Sequence, residues 1–320
     1  VNPLAELLRG EILRDGPISF RRFMDAALYD PEYGYYRRAR DPFGREGDFY
    51  TAEQLQPVFG MLVAARVRTL WREMGSPADF TVVELGAGRR EMAGAFAEWR
   101  YVPVDLTAGS LPEQFRGVVF ANEFFDALPV HVVTAAEGLL RELCVGWETD
   151  RFCWVPGPPA TQELADYVRR WFPADFAGTA EVNLEALRWL ERIGAALRAG
   201  YLLAIDYGYT RAEAARFPHG TLMSYRRHSA RENVLEHPGE QDLTAHVSFT
   251  ALSEHGAAAG LETVRFETLA QMLLSAGEGD QFAEVLAGGT PAEELRRRLQ
   301  LKNLLFGMGE TFRVLLARKA

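Results

Sequence analysis

The stretch FTVVELGAGRREMAGAFAEW, Phe80 to Trp99, sets the fold. Thr81, Val82, Val83 and Leu85 are β-prone and lead into two glycines, after which Met92, Ala95, Phe96 and Trp99 recur at helical spacing. The pattern predicts a buried strand, a sharp turn and an amphipathic helix. Gly86 and Gly88 allow φ > 0 and a close approach of a small molecule to the backbone, and the N–H groups opening the helix favour a negative group. A dinucleotide fingerprint would place a small residue three positions after Gly88, but Glu91 stands there beside Arg90. That disfavours a pyrophosphate, and with it a nicotinamide oxidoreductase. Glu84, just before the turn, suits the ammonium or an ordered water of an amino-acid-like ligand, a group that S-adenosylmethionine has and NAD lacks. A second acid, Asp105, ends the next apolar stretch (Tyr101, Val102, Val104), where it suits two ribose hydroxyls. The bland alternative is that Glu84 and Asp105 are solvated acids at strand ends.

The whole chain bounds these readings. Its 320 residues suffice for one large domain or two small ones, and 48% hydrophobic with 25% charged residues describes an ordinary globular protein. A net charge of −9 and a pI near 5.3 argue against broad nucleic-acid binding, which needs a concentrated basic face. Cys144 and Cys153 do not make a zinc site by themselves, and no histidine cluster joins them, so no metal is expected. A tight turn pairing Trp147 with Asp150 would set the two cysteines opposite each other; free thiols are the default. No apolar run approaches eighteen residues, so no membrane span is expected. The opening residues carry Glu6 and Glu11 and lack an apolar targeting core, so the expected location is cytoplasmic.

Along the chain, Leu4, Leu7, Leu8 and Ile12 form a stripe over residues 3–14, with Asn2 as N-cap and Pro3 at the first helical position. Ser19 caps a second helix. A run rich in Gly, Pro, Tyr and Asp follows, of the kind that often forms a lid, and ends in Gly47, Asp48, Phe49, Tyr50 and Thr51. A helix is then predicted from about Ala52 to Met74. Tyr101 to Val104 and Gly117 to Ala121 read as strands. The dozen residues between them are too few for a helix and a strand of a doubly wound sheet.

The second informative stretch is VVFANEFFDALPVHVV. A buried strand, Val118 to Ala121, ends in Asn122 and Glu123, with Asp126 three residues on. Open α/β sheets bind ligands outside the carboxyl ends of their strands, which places Asn122, Glu123 and Asp126 at the same crevice as Gly86. The alternative is a capped turn, with Asp126 accepting backbone N–H groups and Phe124 and Phe125 in the core.

In combination, GDFYT before a helix, ELGAGR, NEFFDALPV, AIDYG at Ala204 to Gly208, QDLTAHVSF at Gln241 to Phe249 and MGETFRVLLARK near the end resemble the MidA-like family of S-adenosylmethionine-dependent methyltransferases. The resemblance runs from about Ile18 to Lys319. It implies an α/β, Rossmann-like class I methyltransferase fold with a mostly parallel seven-stranded type of sheet. It implies S-adenosylmethionine as cofactor, held by Glu84, Gly86, Gly88, Asp105, Asp48 and Thr51. It further implies methyl transfer to a protein arginine, since mitochondrial members are known as protein arginine methyltransferases that assist assembly of respiratory complex I. Glu123, Asp126 and Asn122 are then the catalytic candidates: a carboxylate orients the guanidinium and accepts its proton, and Asn122 fixes the guanidinium or the amino-acid end of the cofactor.

Three departures accompany the resemblance, one being that Leu269, Ala270 and Gln271 occupy the region near the sixth strand where the family has Thr-Gln. Arg90 and Glu91 stand where the family has small residues, and the segment between Asp105 and Gly117 lacks most of a helix and strand, which predicts a sheet short of one strand. They leave open a second reading, a binding or assembly protein that keeps the fold without the chemistry. The expected organisation is an N-terminal helical region with its lid loop (1–78) and a methyltransferase-like core (79–320). The core is expected to carry a hairpin insertion at about 130–158 and a helical insertion at about 268–308. Within the core, Glu185 to Arg198 and Val247 to Ala259 read as helices. Tyr201 to Ile205, Leu261 to Phe266 and Thr311 to Ala317 read as strands.

Overall fold

The computed structural model describes residues 2–37, 56–105, 109–136, 138–226, 229–231 and 233–320. Helix α1 (Pro3–Asp15) begins as its sequence dictates: the Asn2 side chain accepts the Ala5 amide at 3.0 Å and Pro3 occupies the first turn, where no N–H is missed. After the two-residue strand β1 (Ile18–Ser19), Ser19 caps α2 (Phe20–Tyr29) by accepting the Arg22 amide. Helix α3 (Val58–Glu73) starts later than expected, at Val58, because residues 56 and 57 form a turn ahead of it. Strand β2 (Phe80–Leu85) is buried throughout.

Residues 86–99 depart from the expected helix. They form successive turns, with i to i+3 bonds from Ala93 to Arg90 and from Trp99 to Phe96. Arg90 takes φ 58, the left-handed region, at the point where the helix would begin, and an α-helix does not tolerate that conformation. Met92 and Phe96 are still fully buried, so their spacing marks a core rather than a helix. The helix N-terminus expected to face a ligand is therefore not formed.

Strands β3 (Arg100–Val104) and β4 (Phe115–Asn122) follow, then β5 (His131–Ala136), β6 (Leu139–Glu148) and β7 (Arg151–Pro159). The β6–β7 hairpin pairs Glu148 with Arg151 around Thr149 and Asp150, both at positive φ, as a two-residue turn demands. This register sets Cys144 opposite Val155 and Cys153 opposite Gly146 rather than opposite each other, and both thiols are free. Next come α4 (Gln162–Trp171), β8 (Gly178–Val182), α5 (Leu184–Ala196) and the long strand β9 (Leu197–Tyr209). Short strands β10 (Met223–Arg226), β11 (Ser229–Arg231), β12 (Asp242–Thr244) and β13 (Val247–Ser248) lead to α6 (Phe249–Ala258). The chain ends with β14 (Glu262–Thr268), α7 (Leu269–Gly277), α8 (Ala283–Leu286), α9 (Pro291–Lys302) and β15 (Phe312–Lys319).

These elements form two compact units. The first draws on the described residues of Val1–Tyr50, Asp126–Ala186 and Tyr209–Thr250. Its larger sheet has the order β1-β6-β5-β8, with β7 paired to β6, and its antiparallel pairs are β1–β6, β5–β6, β5–β8 and β6–β7. The apolar stripe of α1 (Leu4, Leu8, Ile12) packs with Phe20, Phe23 and Met24 of α2 and with Val132 and Val145.

The second unit draws on Thr51–Phe125, Leu187–Gly208 and Ala251–Ala320. Its strands run in the order β14-β15-β9-β4-β2-β3. The pairs β2–β3, β2–β4 and β4–β9 are parallel, whereas β15 is antiparallel to both β9 and β14. Leu62, Val63, Val67 and Leu70 of α3 pack with Phe80, Val82, Val118 and Phe120. Among the described residues nothing pairs beyond β3 in this sheet, in line with the few residues between Asp105 and Gly117. Gly109 lies at φ 79 close against β3, where a Cβ would sit 2.0 Å from the Pro103 carbonyl oxygen. Among the described residues no helix is long and apolar enough to cross a membrane.

Candidate functional site

The carboxyl ends of β2, β3, β4 and β9 carry the polar residues of the second unit. Glu84 lies one residue before the end of β2 and is 1% exposed. Burial raises its carboxyl to about 7, against the lowering effect of the Tyr101 hydroxyl, which donates to Oε2; the charges of Asp105 and Glu91 raise it further. The other oxygen, Oε1, has no hydrogen-bond partner among the described residues, and neither does Oδ1 of Asn122, itself 7% exposed at the end of β4. Glu84 lies beside Phe120 in the parallel β2–β4 register, so Asn122 follows two residues further along the same face of β4. Buried polar atoms are nearly always satisfied. Two orphaned acceptor oxygens on neighbouring strand ends therefore ask for a donor.

The glycine turn is held beside them. The N–H groups of Gly86 and Ala87 both donate to the Val104 carbonyl, at 2.9 and 3.3 Å, tying the turn to the end of β3 immediately before Asp105. Asp105 is half-buried. Gly86 has φ 69, and a Cβ there would stand 3.1 Å from Cδ2 of Phe124. Only glycine fits this conformation without strain while Phe124 packs against it. Gly88, at φ 42, and Arg89 are exposed, with the Arg89 guanidinium 3.6 Å from the Glu91 carboxylate.

On the other side of Phe124 the ring meets Trp189 of α5 edge-on, at 5.1 Å between centroids. Glu123 is half-buried and takes φ 48. Its N–H donates to the Ile205 carbonyl at 2.9 Å, and its Oε1 accepts from Asn122 Nδ2 at 3.3 Å. The next N–H but one, that of Phe125, donates to Oδ2 of Asp206 at 3.0 Å.

The structure thus brings Glu84, Gly86, Gly88, Asp105, Asn122 and Glu123 to the strand ends of one unit. Asp48 and Thr51 lie outside the described residues. Asp126 belongs to the first unit, where it is 5% exposed. Burial and the neighbouring charge of Asp242 raise its carboxyl to about 7, and its carbonyl accepts the Ala245 amide at 3.0 Å. The Tyr36 hydroxyl donates to Asp242 at 2.9 Å.

Sequence reasoning passed over Tyr101, Trp189 and Asp206. Tyr101 read only as a member of an apolar stretch, and Trp189 lay unremarked within the helix expected over Glu185 to Arg198. Asp206 was visible only as the acid within AIDYG at the end of the strand Tyr201 to Ile205, with no role given to it.

These acceptors fit the groups that S-adenosylmethionine offers: an ammonium for Glu84 and Asn122, ribose hydroxyls for Asp105, and a chain that passes close to the Gly86 backbone. A family model described as "Putative S-adenosyl-L-methionine-dependent methyltransferase" matches residues 93–267, more than half of the chain. A COG1565 superfamily protein from Burkholderia thailandensis, solved bound to S-adenosyl-homocysteine, is 31% identical and superposes with a TM-score of 0.87, covering 98% of this chain and 91% of that one. The mitochondrial protein arginine methyltransferase NDUFAF7 of Bos taurus is 28% identical over 98% of this chain and 83% of its own. Its Drosophila melanogaster homolog is 29% identical over 77% and 68%. The chain belongs to the family of S-adenosyl-L-methionine-dependent methyltransferases, with S-adenosylmethionine as its cofactor.

Proposed function

We propose that this methyltransferase acts on arginine side chains of a protein, with Glu123 as the carboxylate that orients the guanidinium and receives its proton. The observation that carries this reading is the pair of orphaned buried oxygens, Glu84 Oε1 and Asn122 Oδ1, beside a half-buried Glu123 held in a left-handed backbone conformation. The printed names of the relatives, protein arginine methyltransferases, support the acceptor class.

When bound, the cofactor supplies an electrophilic methyl group on a sulfonium. The protein's own task is then alignment, which contributes roughly 7–11 kcal/mol to such reactions. Glu84 and Asn122 receive the ammonium, Asp105 the ribose hydroxyls, and Gly86 and Gly88 admit the ligand to the backbone. A guanidinium has a pKa above 12 and is a poor nucleophile until a carboxylate orients it. Asn122 Nδ2 donates to Oε1 of Glu123 at 3.3 Å and steadies the carboxylate. On transfer the C–N bond would form as the methyl–sulfur bond breaks, the thioether would leave with the sulfonium's positive charge neutralised, and the excess proton of the guanidinium would pass to Glu123. Phe124, between the glycine turn and Trp189, provides an aromatic wall for positive charge. Asp126 is nearly fully buried beside another carboxylate, so the proton-accepting role falls to Glu123.

The finer acceptor we put forward is a subunit of respiratory complex I, which the family resemblance implies. The test is incubation with methyl-tritiated S-adenosylmethionine and an extract of cells lacking this chain, followed by mass spectrometry of labelled protein. Methylarginine is the expected product; label confined to lysine, carboxylate or small-molecule products refutes the acceptor class. Glu123→Gln is expected to keep the affinity for S-adenosylhomocysteine and lose at least 100-fold in labelling rate. A variant as fast as the parent removes Glu123 from the mechanism.

A further inference from the structure

We infer that Asp206 is a positioning residue for methyl transfer, which it serves by fixing the backbone that presents Glu123. This rests on the role given to Glu123 above. Asp206 is fully buried at the end of β9, an uncommon place for a carboxylate unless its oxygens are engaged. Oδ1 accepts the N–H of Tyr207 at 2.8 Å and Oδ2 accepts the N–H of Phe125 at 3.0 Å. The neighbouring Ile205 carbonyl accepts the N–H of Glu123 at 2.9 Å.

Two successive residues of β9 thus grip alternate residues of the turn that follows β4. The grip is needed because Glu123 holds φ 48, a conformation that a non-glycine residue adopts only when its surroundings impose it. It also fixes Phe124, which lies between the two gripped residues and packs against Gly86. The carboxylate, unlike an amide, offers an acceptor to both N–H groups at once. Asparagine at 206 would keep one bond and turn its NH₂ toward the other donor.

The test compares Asp206→Asn and Asp206→Ser with the parent by three readouts. Labelling rate with methyl-tritiated S-adenosylmethionine and extract is expected to fall at least 30-fold in D206N, while the Kd for S-adenosylhomocysteine changes less than threefold. Amide hydrogen exchange of the peptide spanning residues 120–126 is expected to quicken tenfold or more, with β2 unchanged. In an E123Q background, D206N is expected to cost less than a further threefold, because the two act as a unit. Unchanged exchange at residues 120–126, or a rate within threefold of the parent, overturns the role. So does loss of cofactor affinity in step with rate, or both variants failing to fold, since Asp206 would then serve stability alone. If E123Q itself keeps its rate, the mechanism built on Glu123 fails. If E123Q is slow and D206N is fast, that mechanism stands and only the role of Asp206 falls.

Discussion

Replacing Glu84 by glutamine should make the ligand-free protein more stable above pH 7 while weakening its hold on the cofactor. Burial raises the Glu84 carboxyl from its ordinary 4.5 to about 7 in the folded protein. Below pH 4.5 the group is protonated in both folded and unfolded chains and costs nothing. Between pH 4.5 and 7 the folded state binds more protons than the unfolded one, so stability falls as pH rises, and above 7 the whole cost is present. A displacement of ~2.5 pH units corresponds to about 3 kcal/mol. Glutamine keeps the size and an oxygen for the Tyr101 hydroxyl but never ionises. The stability of E84Q relative to the parent should therefore rise by about 3 kcal/mol between pH 4.5 and 8, read from urea unfolding at a series of pH values. An ammonium beside Glu84 favours its ionised form, so binding of S-adenosylhomocysteine at pH 6.5 should release a proton. Calorimetry in buffers of different ionisation heat would detect that release, which E84Q should lack along with at least tenfold in affinity. A stability difference that does not change with pH, or parental affinity in E84Q, refutes the reasoning.

Two further substitutions probe the same physics. Gly86→Ala forces a side chain into the left-handed region and to within 3.1 Å of Phe124. A cost of about 1–2 kcal/mol and a tenfold or greater loss of S-adenosylhomocysteine affinity are expected, and calorimetry showing parental binding would contradict that. Asp126→Asn removes a carboxyl raised from 3.8 to about 7 by burial and by Asp242. The parent loses this stability as pH rises from 3.8 through 7, so the variant should gain on it over that range. Equal shifts at pH 5 and pH 8 in urea unfolding would refute the assignment.

Much of both units was legible in the sequence because the signals are local. The Asn2 and Ser19 caps, the buried run before Gly86, the strand ending in NEFFD and the shortage of residues between Asp105 and Gly117 each have a short-range physical meaning, and each appears in the structure. The helix expected over residues 91–99 failed for an equally local reason. Its apolar spacing was correct, but Arg90 adopts a left-handed conformation that no pattern of apolar residues reveals. Strands β5 and β8 went unread because five or six residues of mixed character carry little periodicity, and they are stabilised by each other across 40-odd residues of chain. Helix α4 was missed although its signal was present: Thr161 as cap, with Leu164, Tyr167 and Trp171 on one face.

By itself the sequence pointed to the class of ligand, through a glycine turn flanked by Glu84 and followed by Asp105 and through the motifs that carry the family resemblance. Tertiary structure alone decided how the site is held. Asp206 reaches Phe125 across 81 positions, and Tyr101 reaches Glu84 from the adjacent strand. Such bonds depend on which strands lie side by side, and strand order follows from burial of the whole sheet rather than from any one stretch of it.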